Sequence, residues 1–299
     1  MNDNNEVKSF TLIEVLMVII IIGILASLIL FSTQDAYDKK SKLDILNLVE
    51  GIKAKNLNSL VAEWKFDGPT PAGSIATNND VRDSWGYKNG NVTGHAPMVK
   101  EGDDCVSGKC LWFEGDTNSY YIEFGGVMDS FVSVSVSAWI KPVDTVGRNV
   151  FNSLPLILHY RGAGFYLRDS NGGTCGYLGW SPAPIANEWN YVVATWSNSL
   201  IGDGKMRLYI DGKKQSTELS CTGGVSGKLR TGGVNIGKYF NSSQIQYKGY
   251  IDDIRIYDSA ISVSEIKQNY VAGLNSMLQS GAISKEEYNQ KTLNLAKND

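Results

Sequence analysis

From Val15 to Phe31 the chain reads VLMVIIIIGILASLILF, without a charge or a proline. With Phe10–Ile13 the apolar stretch runs to about 22 residues, long enough for a helix to cover roughly 30 Å of hydrocarbon. A helix apolar on every side is out of place in a soluble chain of this size, so the reading is a membrane span. A cleaved secretory signal fits poorly. The preceding MNDNNEVKS is weakly charged, the apolar stretch is too long, and no small-x-small cleavage site follows it. One charge interrupts the stretch, Glu14. A carboxylate at membrane depth calls for a cationic partner at the same depth. A free α-amino group at Phe10 of a neighbouring copy would serve.

The segment Lys8-Ser9-Phe10-Thr11-Leu12-Ile13-Glu14 resembles the processing signature of type IV prepilins. The resemblance implies that a prepilin peptidase cuts between Ser9 and Phe10 and that the new Phe10 amine is methylated. It makes Glu14 the residue that pairs with a neighbouring subunit during assembly. Two features depart from the usual pattern: Ser9 stands where Gly is common, and the span carries no proline. The flanking charges nearly cancel, so orientation follows from the resemblance rather than from a positive-inside bias.

Beyond the span, Leu43, Leu46, Val49 and Ile52 recur at helical spacing, with Ile45 and Leu48 widening the stripe. A stalk helix that packs on its own head, on neighbouring helices, or on both accounts for the pattern. A helix from Phe10 to Leu60 would be roughly 75 Å long.

Near residue 60 the composition changes. The 31 glycines, 15 tyrosines and 7 tryptophans concentrate after it. Segments 120–124, 132–140, 164–167, 191–196, 206–210, 234–236 and 251–257 read as strands. Val132, Val134, Val136 and Ala138 alternate with Ser133, Ser135 and Ser137, which predicts a sheet with one buried face. Asp211-Gly212 is a hairpin signal. These features predict an antiparallel sandwich.

The stretches VAEWKFDG (61–68), LWFEG (111–115), VSAWIKP (136–142), EWNYVVATW (188–196), MRLYIDGK (206–213) and YIDDIRIY (250–257) resemble, in order, the LamG-like, concanavalin A-like domains. The fold class that follows is mostly β with an N-terminal α element: a transmembrane and stalk helix, then a jelly-roll β-sandwich, then a short C-terminal helical hairpin. The predicted organisation is leader 1–9, span 10–32, stalk 33–60, sandwich 61–262 and C-terminal helices 263–299. In that last region Ser262 and Glu265 form a capping-box pattern, Gly273 and Gly281 punctuate the helix, and Ser284 opens a second one.

All four cysteines, Cys105, Cys110, Cys175 and Cys221, lie in the head, and four allow three connectivities. Cys105 and Cys110 flank a short turn that a bridge would staple, which leaves Cys175 and Cys221 to join two distant loops. A zinc site is the alternative, but no C-x-x-C spacing occurs and the chain holds only two histidines. Two disulfides also suit an exported head.

For catalysis, a glycosidase of this fold needs two carboxylates on one face. Asp252 and Asp253 are adjacent and so alternate in a regular strand, while Glu114, Asp116 and Glu123 show no Glu-x-Asp pattern. The expectation is a binding protein and not an enzyme. Trp85 and Trp180 are the candidates for stacking on sugar rings, with ordinary packing the competing explanation. A structural calcium on Asp67, Asp83 and Asp252 is the one cofactor considered, against the plainer reading that Asp shapes turns. The net charge of −3 and the lack of a basic stripe exclude direct nucleic-acid binding.

The function expected from these features is a pilin-like filament subunit whose head binds a glycan or a surface protein. Its partners would be the peptidase, the cytoplasmic membrane and other pilin-like subunits. It would be a single-pass membrane protein with its head outside before assembly, and part of a surface filament afterwards. The alternatives are a pseudopilin of a secretion or DNA-uptake apparatus and a membrane-anchored surface protein that binds, or less readily cleaves, glycans.

Overall fold

The computed structural model describes residues 59–296 apart from the segments 116–120, 129–130, 145–147, 154–155, 161–163, 169–173, 199–201, 222–231 and 239–245. The leader, Ser9, Phe10, Glu14, the apolar span and the stalk lie outside the described residues. Among the described residues, no helix is long and apolar enough to cross a membrane.

Alternation along one central strand organises the head. In β6 (Ser133–Pro142), Val134, Val136, Ala138 and Ile140 enter the hydrophobic core. On one side β6 pairs with β11 (Asn190–Ser197), followed by β12 (Lys205–Ile210) and β13 (Lys213–Ser220). On the other it pairs with β15 (Lys248–Tyr257), followed by β4 (Lys109–Glu114) and β3 (Met98–Glu101). The free edge of β15 is shared: its first half pairs with β4 and its second half with β1 (Leu60–Trp64). The opposing sheet runs β10 (Thr174–Leu178), β9 (Phe165–Arg168), β8 (Leu156–Tyr160), β7 (Arg148–Ser153), β14 (Gly232–Ile236), β5 (Tyr121–Met128) and β2 (Gly90–Thr93). All pairings are antiparallel, and Ile122, Phe124, Phe151, Leu158, Phe165, Val234 and Ile236 meet the first sheet across the core.

Asp211 (φ 51°) and Gly212 (φ 78°) turn β12 into β13, as the Asp-Gly pair predicts. Both residues need positive φ, which Gly adopts freely and Asp tolerates.

Two expectations are corrected. Ser133, Ser135 and Ser137 do not face water; all three are buried. The segment leaving β15 folds back over them. The Ser135 hydroxyl donates to the Ser259 carbonyl (2.7 Å) and accepts from the Ile261 amide (2.9 Å), while Ser133 accepts from the Ala260 amide (2.9 Å). Helix α1 (Val263–Ser280) then covers the rest of this face, with Tyr270 stacked on Trp139 at 5.6 Å. The small hydroxyls suit this place because they satisfy an incoming backbone without holding it away.

The second correction concerns Gly273, which does not interrupt α1. A Cβ there would lie 2.3 Å from the Trp139 ring, so glycine is required by close packing inside a continuous helix. The capping box at Ser262 and Glu265 forms as expected, and Gly281 (φ 85°) ends the helix. Helix α2 (Lys285–Ala296) starts with the Glu287 amide donating to the Ser284 hydroxyl (3.1 Å).

The disulfides are Cys105–Cys110 and Cys175–Cys221. The first closes a loop before β4. The second links β10, at the edge of one sheet, to the residue after β13, at the edge of the other.

Candidate binding pocket

On the outer face of the seven-stranded sheet, strand alternation places polar side chains between core residues. Tyr121 and Glu123 flank the buried Ile122 on β5, and Asn235 stands between the buried Val234 and Ile236 on β14. Register pairs Asn235 with Glu123 on one side and with Asn152 of β7 on the other. Tyr121, Glu123, Gly233, Asn235 and Lys238 line a half-open pocket of about 310 Å³. The Lys238 ammonium lies over the Tyr121 ring, 4.4 Å from its centroid. Deeper in the row, Asn152 is fully buried, and among the described residues neither its amide nitrogen nor its amide oxygen has a partner; Asn149 is in the same condition. Unmet buried amides are unfavourable by about 1–3 kcal/mol each unless water or a ligand reaches them.

The pocket offers one carboxylate, one ammonium, an amide and a phenol. Such a set can hold hydroxyl-rich molecules by hydrogen bonds. Glycosidic cleavage needs a second carboxylate, and none of the other described lining residues supplies one.

The aspartates singled out in the sequence serve other ends. Asp83 accepts from the Glu63, Trp85 and Lys88 amides, each at 3.0 Å. With the Ser84 amide donating to the Glu63 carbonyl (2.7 Å), this loop caps the outer edge of β1. Asp252 accepts from the Val106 and Ser107 amides (3.0 and 3.1 Å), inside the loop closed by Cys105–Cys110. A bulge at Asp253 (φ 49°) breaks the alternation, so that Ile251 and Ile254, three apart, both face the core. Asp252 and Asp253 are therefore neighbours, not residues on opposite faces of a regular strand. Burial first, and then the charge of Asp253, push the Asp252 carboxyl well above the usual range. Arg255 answers Asp253 (3.2 Å) and Glu63 (2.7 Å), tying β15 to β1. Burial opposes its charge, but these carboxylates outweigh that and raise its pKa.

Asp67 accepts from the Lys109 amide (2.8 Å), and burial raises its pKa. It lines a second cavity of about 400 Å³ with Phe66, Gly68, Pro69, Asn79, Asp80, Arg82 and Ser84. Asp80 is spent there on Thr70 and Thr77: burial works to raise its pKa, and their hydrogen bonds overcome it. Among the described residues, no group of three His, Cys, Asp or Glu side chains is placed to hold a metal ion.

Trp180 packs partly buried against the core, whereas Trp85 is 43% exposed on the loop that Asp83 organises. The sequence reading weighed Glu123 only as a catalytic acid and did not single out Tyr121, Asn235 or Lys238. The available signal was the polar residue set between core residues on each strand.

The family model described as the concanavalin A-like lectin/glucanases superfamily matches residues 116–267, a little over half of the chain. The chain belongs to that superfamily. A prokaryotic N-terminal methylation motif also matches, over residues 4–30, so the chain carries a type IV pilin leader. Nothing matches among the curated proteins.

Solved structures share the superfamily's sandwich. The binding domain of Paraclostridial Mosquitocidal Protein 1 is 17% identical at a TM-score of 0.54, over 73% of this chain and 53% of that one. The botulinum neurotoxin serotype D ligand-binding domain, solved with N-acetylneuraminic acid, is 19% identical at 0.51, over 74% and 52%. Domain 4 of AbnA, a GH43 arabinanase from Geobacillus stearothermophilus, aligns over 70% of this chain and 97% of that one at 20% identity and a TM-score of 0.47. The chain spans about half the length of the toxin chains it matches, and the likeness to them is one of fold.

Proposed function

We propose that this protein is a pilin-like filament subunit that displays a glycan-binding head. The observation that carries the reading is the joining, in one chain, of a methylation-motif leader to a lectin-type sandwich. The pocket at Tyr121, Glu123, Asn235 and Lys238 supports binding by its mixture of donors and acceptors. A single carboxylate among its described lining residues supports binding without hydrolysis. In this reading prepilin peptidase cuts before Phe10, and Glu14 pairs with the Phe10 amine of a neighbouring subunit in the membrane. The head is outside the cell both before and after assembly.

Two measurements test this. Mass spectrometry of sheared surface material should find a methylated Phe10 at the N-terminus; an intact Met1 confined to membranes would overturn the filament reading. A glycan array probed with the full chain in detergent should give ligands lost on Asn235→Ala. Binding to no glycan, or binding indifferent to that change, would overturn the site.

A further inference from the structure

We infer that the pocket takes an anionic sugar residue whose acid group is held by Lys238. This deepens the glycan-binding reading above and rests on it. Lys238 is partly buried, and its ammonium is fixed over the Tyr121 ring rather than left to move in solvent. Among the described residues no carboxylate comes within 4.0 Å of it, although Glu123 lines the same pocket. Contact with an aromatic face offsets part of the loss of water around an ammonium but does not replace a counter-ion. The charge is therefore positioned, partly dehydrated and, among the described residues, without an anion.

Glu123 sets the orientation. It is exposed, so an acid group turned outward meets a like charge, while hydroxyls turned outward find an acceptor. Asn235 and the Tyr121 hydroxyl offer neutral hydrogen bonds to the rest of the ring. At about 310 Å³ the pocket is at the small end for ligand sites, which suits one terminal residue rather than a long chain. Carboxylated and sulfated sugars share this chemistry, and the test separates them.

The experiment is calorimetry on the full chain in detergent with a glucuronate-terminated oligosaccharide, a 6-sulfated one and their neutral glucose counterpart. The expected result is about ten-fold tighter binding of at least one acidic probe than of the neutral one, weakening as salt rises. Lys238→Gln should weaken the acidic probe far more than the neutral one and so remove the preference between them; Lys238→Arg should keep it. Equal binding of acidic and neutral probes, or equal loss of both in Lys238→Gln, overturns the inference. If the neutral probe binds and Asn235→Ala abolishes that binding, the glycan-binding reading survives such a failure. If no sugar binds at all, both fall.

Discussion

The two sheets of the head use their outer faces in opposite ways. On the eight-stranded sheet, Ser133, Ser135, Ser137, Trp139 and Tyr191 are sealed under the chain that follows β15 and under α1. On the seven-stranded sheet, Tyr121, Glu123 and Asn235 stay accessible and shape a pocket with Lys238. Both faces are built from alternating polar residues, so polarity alone does not mark a solvated face. What differs is the size and charge of the side chains. Small hydroxyls satisfy a covering backbone, whereas a carboxylate and a lysine resist being covered.

Variants can break or sharpen this contrast. The largest effect is expected where the two sheets are tied together. Replacing Cys175 and Cys221 with Ser opens a bridge of sequence separation 46 and should remove about 4 kcal/mol, against about 2 for Cys105 and Cys110, read as urea midpoints of the full chain in detergent. Tyr270→Ala, which uncovers Trp139, should lower stability by about 3 kcal/mol in the same assay. Gly273→Ala should lower it by about 1–2 kcal/mol, because the clash with Trp139 exceeds the gain in helix propensity. A stable Gly273→Ala variant with an unchanged near-ultraviolet spectrum would mean that α1 sits farther from the sheet.

A smaller effect is expected from pH. Asp211, in the turn beneath α2, accepts from the Tyr191 amide (2.9 Å), and burial pushes its carboxyl up to about 6. Its ordinary value is 3.8, so the folded state prefers the protonated form. That contribution to stability is full below about pH 4 and is lost as pH rises through about 6. For a partly buried group it should amount to about 1 kcal/mol, and Asp211→Asn should flatten the slope of the urea midpoint over that window. The smallest effect belongs to the pocket: Asn235→Ala should change stability by less than about 0.5 kcal/mol while abolishing ligand binding. A large loss of stability there would make the outer face of the seven-stranded sheet structural, like its counterpart.

Much of the fold was legible in local patterns. The seven predicted strand segments all lie within or largely within strands; the Asp-Gly turn and the Ser262–Glu265 box report short-range chemistry. The disulfide pairing was legible as one of three choices and follows from which strand ends meet. Less of the site could be read. Glu123 and Asn235 are 112 residues apart in number, and only the pairing of β5 with β14 makes them neighbours. Asp83 and Asp252 accept hydrogen bonds from distant backbone amides, a use that leaves no mark in the sequence.

The sequence by itself determined the leader with its methylation motif, the sandwich class, the turn chemistry and the helix caps, because each is set by residues a few positions apart. Only the tertiary structure decided which polar face is covered, why Gly273 lies within a helix, where β15 bulges and which four side chains meet in a pocket. Those outcomes depend on contacts between distant strands, and strand alternation states that a side chain points outward without stating what it meets there.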